Sequence, residues 1–507
     1  MEITNTSTKN YLLICEIGPI YDFVSQSRKT VDFWGASFLF SYFMSEVARD
    51  ITNNGGTIFL PHLDNNPMYA GSGTITCGSV PDQIYATFTD TDSQRSNIEN
   101  RLKTVLEDVI KAIAPKVEAM AGQKGKRLED LVHGEVKNFF QLFYIIHEIN
   151  GIQPTFDEFV EAERKIRMRY AIRPFTQTSG SDSIAKWDKC SLCGDRKRIY
   201  SIVVDKDAGL YNKEHICSVC LLKRFLPESV KSIFSGAAKI KEPQYKSTSD
   251  IALSPIKACI DTADADNEIK ETYHTLIKAC ELASEEKDSE GRFFYDPILS
   301  RKFTAWKKNL GDKYPAETRL NWLNRPFYSI VYMDGDNMGD ILKANRDKFP
   351  AYIKDVSMII SDFSNAVDAI VSNHHGQLIF AGGEDINFVI HPEYLLDCIK
   401  ELNETYNKFF AENNHTKAMA EKFTLSAGVM ICYHKYPLSE AIHRAGVMLK
   451  DHAKKRKGKD ATAISLIKGH TEALQFTFSN KSLDSLKRLK ECLIQSEISR
   501  TTPYRIA

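Results

Sequence analysis

The sequence predicts an α+β protein built from two ferredoxin-like units, a four-cysteine metal-binding module and helical segments. Three observations lead there. One order of strands and helices, βαββαβ, occurs near the N-terminus and again near the C-terminus. Two CxxC pairs lie between the copies. The stretch IFAGGEDINF, from Ile379 to Phe388, sets two glycines and then two acids, Glu384 and Asp385, between two apolar runs.

The elements follow in order. YLLICEIG (11–18), apolar but for Glu16, reads as a buried strand. Residues 30–52 carry apolar positions at helical spacing. GTIFL (56–60) and QIYATFTD (83–90) are strands separated by a long connection. In 97–120, Leu102, Leu106, Val109, Ile110 and Ile113 line one helical face. FFQLFYIIHE (139–148) closes the unit as its last strand. In the second copy, FYSIVYM (327–333) is a strand, 352–373 a helix, and 377–381 and 386–390 the strands around GGED. Residues 392–413 are helical, FTLSAGVMIC (423–432) is a strand, and a further helix covers 437–455. The expected domains are 1–180 for the first, degenerate unit, 181–225 for the cysteine module, 226–320 for a helical linker domain, 321–470 for the second unit and 471–507 for a short helical tail.

In a ferredoxin-like sheet the first and third strands are central, adjacent and antiparallel, so the end of strand one lies beside the start of strand three. In the second unit strand one runs into DGDNMG, with Asp334 and Asp336, and strand three starts just after Glu384 and Asp385. Gly382 and Gly383 permit the tight hairpin between. The result is a cluster of carboxylates on one sheet edge. Clustered acids repel unless cations sit between them, and hard oxygen ligands favour Mg²⁺ or Mn²⁺. Two such ions about 3.5–4 Å apart activate an attacking hydroxyl and stabilise a leaving pyrophosphate. That is the palm arrangement for joining nucleotides.

Cys190, Cys193, Cys217 and Cys220 form CxxC, 23 residues, CxxC. Two knuckles of paired thiolates close a tetrahedral zinc shell and leave no open position, which makes the metal structural. The other seven cysteines are scattered and read as small apolar core residues. At 507 residues the chain divides into several domains, and 43% hydrophobic with 26% charged residues describes a soluble globular protein. Lys+Arg and Asp+Glu are both 66, so the balance gives no sign of a nucleic-acid coat. No run reaches the roughly 18 apolar residues of a membrane span, and no signal peptide is visible, so a cytoplasmic location is expected.

The pairing of DGDNMG with AGGED, the stretch SAGVMICYHKYPLSEAIHRAGVMLKDHAKK, the two CxxC knuckles and the N-terminal IGPIYDFVSQSRKTVDFWGASFLFSYF together resemble the large subunit of Cmr-type (type III-B) CRISPR effector complexes. The resemblance covers nearly the whole chain. It implies a palm polymerase/cyclase working with other Cmr-type subunits, CRISPR RNA and target RNA, switched on by bound target RNA and converting ATP into a nucleotide second messenger. Many relatives begin with a histidine–aspartate nuclease domain. Here the first unit starts near residue 1 and no histidine precedes an aspartate, so no nuclease activity is expected. The family hairpin is usually Gly-Gly-Asp-Asp. Glu384 replaces its first acid, and a longer carboxylate there is still able to bind metal.

Carried over residue by residue, the resemblance implies that Asp334 and Asp385 are the principal ligands of Mg²⁺ or Mn²⁺. Glu384 is a third ligand or the base for the attacking hydroxyl, and Asp336 a weaker candidate. Gly382 and Gly383 would let the triphosphate approach the backbone. Ser426 and Lys454 resemble nucleotide contacts, although Lys454 lies in a KKRKGK run that reads equally as a solvated surface. The acceptor is left open between ATP and, as in a nuclease-less branch of the family, S-adenosylmethionine. Asp64 and Glu148 are the candidate acceptor-side acids. Two further readings stand beside this one. One is a catalytically inactive scaffold subunit, against which the intact acids argue. The other is a stand-alone diguanylate-cyclase-like enzyme, against which the cysteine module and the duplicated unit argue.

Overall fold

The computed structural model describes residues 9–90, 94–120, 135–172, 189–205, 212–233, 239–240, 246–260, 297–313, 326–468 and 471–494, and a few single residues between 267 and 275. The first unit comprises β1 (Lys9–Gly18), α1 (Ile20–Ser25), α2 (Thr30–Asn53), β2 (Thr57–Leu60), α3 (Pro67–Ala70), β3 (Thr74–Ile75), β4 (Gln83–Asp90), α4 (Gln94–Met120), α5 (Glu135–Phe139), β5 (Gln141–Ile149) and α6 (Phe156–Ala171). Its main sheet has the order β2-β4-β1-β5, all antiparallel, which is the ferredoxin-like order. β1 is apolar and buried from Tyr11 to Cys15 because both its faces are covered. Leu13, Cys15 and Ile17 point into the main core, whereas Leu12 and Ile14 pack with Phe159, Ala162 and Ile166 of α6.

Beyond it lie β6 (Tyr200–Asp205) and β7 (Asn212–Ile216), paired as a hairpin, and α7 (Ser218–Ile233). β8 (Lys239–Ile240) pairs with β3, followed by α8 (Thr248–Ile260) and α9 (Pro297–Lys313). The boundary expected at residue 225 falls inside α7, because the helix that starts in the second cysteine knuckle continues into the core between α2 and α4. The rest of the expected helical linker lies largely outside the described residues.

The second unit runs through β9 (Phe327–Gly335), α10 (Met338–Ala344), α11 (Ala351–Asn373), β10 (Gln377–Gly382), β11 (Asp385–Ile390), α12 (Pro392–Glu412), β12 (Leu425–Tyr433) and α13 (Leu438–Val447). A π-helical turn (Met448–Ala453) extends α13. β13 (Ala461–Lys468), β14 (Thr471–Ser479) and α14 (Leu483–Ile494) complete it. The sheet order is β10-β11-β9-β12-β13-β14. The expected helical tail is therefore corrected: 471–479 is an edge strand antiparallel to β13, and only 483–494 are helical. The four-strand pattern ends at β12, so two strands added beyond it were not anticipated.

The units dock through the long β2–β4 connection of the first. Ala381 N donates to Gly78 O at 3.1 Å, and His62 N to Ser357 Oγ at 2.8 Å. Phe33 of α2 lies 6.3 Å from Tyr332 of β9, their rings nearly parallel. Of the seven scattered cysteines, Cys15, Cys77, Cys398 and Cys432 are buried as expected. Cys492 is only half-buried, while Cys280 and the side chain of Cys259 lie outside the described residues.

Candidate active site and candidate zinc site

The acids meet because of register. Ile386 of β11 pairs with Met333 of β9, so Asp385 at the start of one strand falls beside Asp334 at the end of the other. Gly382 and Asp385 close a two-residue hairpin around Gly383 and Glu384. Gly383 has φ +65°, a conformation that favours glycine, and its carbonyl accepts from Ser364 Oγ of α11 at 2.8 Å. Gly382 has a different role from the one expected. A Cβ there would lie 2.5 Å from the Phe380 ring, so the glycine makes room for that ring. Gly335 was not singled out from the sequence. Glu384 folds flat over it, and any side chain at 335 would collide with the Glu384 carboxylate.

Lys454 is the cation of the site. Its ammonium meets Asp334 Oδ2 at 2.9 Å and Asp336 Oδ1 at 3.1 Å, and donates to Gly335 O. Its side chain is 16% exposed against 68% for Lys455, so Lys454 is not part of a solvated run. The π-helical turn before it delivers it there. That helix can approach the sheet because residue 428 is glycine: a Cβ would strike the backbone of Ala445 and Leu449.

Asp336 and Ser426 are not open to a ligand. Asp336 is 1% exposed, and its carboxylate accepts from Ser426 Oγ and Thr424 Oγ1, each at 2.9 Å, and from Asp460 N at 3.0 Å. Ser426 is itself fully buried. The pair braces Lys454 from behind.

Burial, followed by the charge of Asp334, pushes the Glu384 carboxyl up to about 7, with Lys454 pulling the other way. Glu384 Oε2 is buried and has no hydrogen-bond partner. Burial also raises Asp334, tempered by Lys454. Asp385 is exposed to solvent, although protein atoms crowd around it. That desolvating position, then Asp334, Asp82 and Glu384, hold its carboxyl well above the usual range. Asp82 belongs to the first unit and was missed from sequence, where nothing marks it. It follows Pro81, which packs against Gly383.

The candidate acceptor acids are not drawn to this edge. Glu148 pairs with Lys9 at 3.0 Å and stands opposite Tyr11, about 20 Å along β1 from Gly18. It is thus at the far end of the sheet, and that expectation is corrected. Alternation of side chains along a strand could not reveal which end of the strand faces the second unit. Asp64 is exposed on a turn whose Asn65 bonds Ser361 Oγ at 2.7 Å and Asp362 Oδ1 at 2.5 Å, and it makes no bond to the acids.

The second unit has a cavity of about 1110 Å³ lined by both charges, Lys400, Arg456, Lys457, Lys459 and Lys481 with Asp340, Glu404, Glu421, Asp460 and Asp484, and Asp334, Glu384 and Asp385 are not part of its lining. In the cysteine module, the Sγ atoms of Cys190, Cys193, Cys217 and Cys220 all lie within 4.8 Å of one another, with Cys193 and Cys217 at 3.9 Å. A tetrahedron of Zn–S bonds of about 2.3 Å has sulfur–sulfur edges of about 3.8 Å, so the four thiols fit zinc. Among the described residues no set of acids converges so tightly.

The model for the second palm domain of Cas10/Cmr2 matches residues 327–463, and that for the N-terminal region of the CRISPR-associated protein Cmr2 matches residues 12–115. The chain is 23% identical over 549 residues to a CRISPR system Cmr subunit Cmr2 from Pyrococcus furiosus, covering 90% of this chain and 61% of that protein. The chain thus spans about three-fifths of the length of that relative. Its fold is similar to a chain in the cryo-EM structure of the type III-B Cmr-beta complex in the apo state (TM-score 0.66, 14% identity, 98% of this chain and 74% of that one). A Cmr-beta structure bound to cognate target RNA gives a TM-score of 0.65 at 14% identity, covering 99% and 76%. No helix among the described residues is long and apolar enough to cross a membrane. Residues 327–463 thus match a Cas10/Cmr2 second palm domain and residues 12–115 a Cmr2 N-terminal region, and over most of its length the chain is similar to the Cmr2 large subunit of type III-B systems.

Proposed function

We propose that the chain is a nucleotidyltransferase working in the cytoplasm within a Cmr-type complex, with CRISPR RNA and target RNA as partners and target RNA as activator. The observation that carries this is the edge where Asp334 and Asp385 fall side by side, with Glu384 over Gly335 and Lys454 bound to Asp334. ATP is the donor on the second unit, its triphosphate running toward Lys454 and Lys459. The acceptor hydroxyl comes from a ligand against the first unit. Its oxygen forms a bond to the α-phosphorus as the bond to pyrophosphate breaks.

The residues fit a divalent cation. A buried carboxylate oxygen of Glu384 lacks a partner, and the donor set is all oxygen. Asp334, Glu384 and Asp385 would hold Mg²⁺ or Mn²⁺, which when bound lowers the pKa of the attacking hydroxyl and neutralises the leaving group. Where Glu384 is left unligated, its carboxyl, raised to about 7 in the absence of a cation, would instead take the hydroxyl's proton at neutral pH. Lys454 holds Asp334 in place and offers its charge to the triphosphate.

The product is an ATP-derived messenger, either cyclic oligoadenylate or an AMP conjugate of S-adenosylmethionine. The test is to assemble the complex, add target RNA, Mg²⁺, ATP and S-adenosylmethionine, and weigh the products. Asp385→Ala should remove all of them. Absence of any adenylyl product from the wild-type complex would leave a scaffold subunit instead.

A further inference from the structure

The cysteine module does more than close on itself. Lys223, three residues after Cys220 on α7, is fully buried. Its ammonium donates to Phe23 O at 2.9 Å and Gln26 O at 2.8 Å and lies 4.8 Å from the Phe23 ring centroid. On the other knuckle, Asp195 accepts from Gln26 Nε2 at 3.0 Å. Arg196 stacks over Phe139 at 4.3 Å, and Phe139 lies 5.6 Å from Phe23. Both knuckles therefore grip one short segment, α1 and the residue after it.

That segment joins the two units. α1 has six residues and no side-chain cap at its start, so it cannot hold its own conformation and depends on these contacts. It leaves the cleft-facing end of β1 and carries Tyr21, whose hydroxyl meets His443 Nδ1 of α13. Lys450 of the π-helical turn lies 5.8 Å from the Tyr21 ring centroid. The same turn delivers Lys454 to the acids.

We propose that metal in the four-cysteine site acts as an interdomain latch: it locks α1 between the two knuckles and thereby seats Tyr21 against the helix that carries the catalytic-edge lysine. Four thiolates around one Zn²⁺ carry two net negative charges, and the buried Lys223 and the half-buried Arg196 match them in number. Without the metal nothing covalent fixes the 190–193 knuckle to the start of α7. Asp195 and Lys223 then move independently, and the carbonyls of Phe23 and Gln26 lose their common clamp. Lys223 is in this sense a positioning residue. The inference rests on the zinc reading of the four cysteines but not on any nucleotide product, so it fails or stands separately from the proposed reaction.

Hydrogen–deuterium exchange of the full chain, read by mass spectrometry, tests it, with zinc content measured on each sample. Stripping zinc with a chelator should speed exchange of the 20–26 amides about tenfold or more, the scale expected for losing hydrogen bonds to a charged donor, while β9 and β12 stay protected. Lys223→Met should keep about one zinc per chain yet show the same loosening of 20–26. Should Lys223→Met fail to fold, Gln26→Ala, which removes only the tie to Asp195, should still loosen 20–26 by about twofold to fivefold. Equal protection of 20–26 in loaded and stripped chain overturns the latch. So does a chain that binds no zinc, or a folded variant that leaves the segment as protected as wild type.

Discussion

Replacing Glu384 by Gln should abolish one specific pH response of the chain. Burial and the neighbouring Asp334 raise the Glu384 carboxyl from 4.5 to about 7. A carboxyl raised in the folded state favours folding while it is protonated. Its contribution is complete below about pH 4.5, declines as pH rises, and is gone above about pH 7. The gap corresponds to about 3 kcal/mol, or roughly 6–10 °C in Tm for a unit of this size. Thermal unfolding of the zinc-loaded chain, without Mg²⁺, is the assay. At pH 5 wild type and Glu384→Gln should unfold within a degree or two of each other, about 0.5 kcal/mol. At pH 8 the variant should be the more stable by the full amount. Adding Mg²⁺ at pH 8 should raise wild type much more than the variant, because the cation offsets the charge that the variant never carries. Parallel pH curves for the two proteins, or an equal Mg²⁺ response, would refute the assignment of Glu384 as the strained acid of the site.

Other outcomes follow from the same geometry. Gly428→Ala should destabilise the second unit by about 2–3 kcal/mol, since the added methyl meets helix backbone rather than a movable side chain; urea unfolding measures it. Lys454→Met should lower product formation by about 100-fold or more and raise the Glu384 pKa further, read from the pH–rate profile. Glu148→Gln should leave product formation unchanged within about twofold, because its Lys9 pair is exposed at the far end of the sheet. Cys217→Ser should reduce zinc from about one per chain to a small fraction, measured by metal analysis.

Much of the architecture was legible because it is written in local periodicity. The apolar run of β1, the helical face of α4 and the glycine–acid hairpin each signal their own structure, and the ferredoxin-like order then brings Asp334 and Asp385 together without further information. What failed has a common cause: the missing facts belong to packing between distant segments. TFDE before α6 is a capping-box signal, and Thr155 and Glu158 do cap that helix, but the sequence does not say that it covers the second face of β1. Ser426 resembles a ligand contact from its position, and only the buried network around Asp336 shows that it serves Lys454 instead. Asp82 is one acid among many until the fold sets it beside Asp385.

The two units use one topology for unequal ends. In the second, strands two and three are joined by two residues, and Glu384 of that turn and Asp385 just after it lie by the end of strand one. In the first, residues 61–82 intervene between β2 and β4, so no such turn exists and no paired acids can form there. That long connection is not idle. It folds across the seam, giving Gly78 O to Ala381 N, Asn65 to α11, and Pro81 to the face of Gly383. The hairpin that carries Glu384 and Asp385 is thus held from outside by the unit that lacks acids. The crevice between them has carboxylates with raised proton affinity on one wall and Asp82 on the other, with Lys454 neutralising Asp334 and Asp336 alone. Such a crevice is short of positive charge, which divalent cations held between the carboxylates would supply.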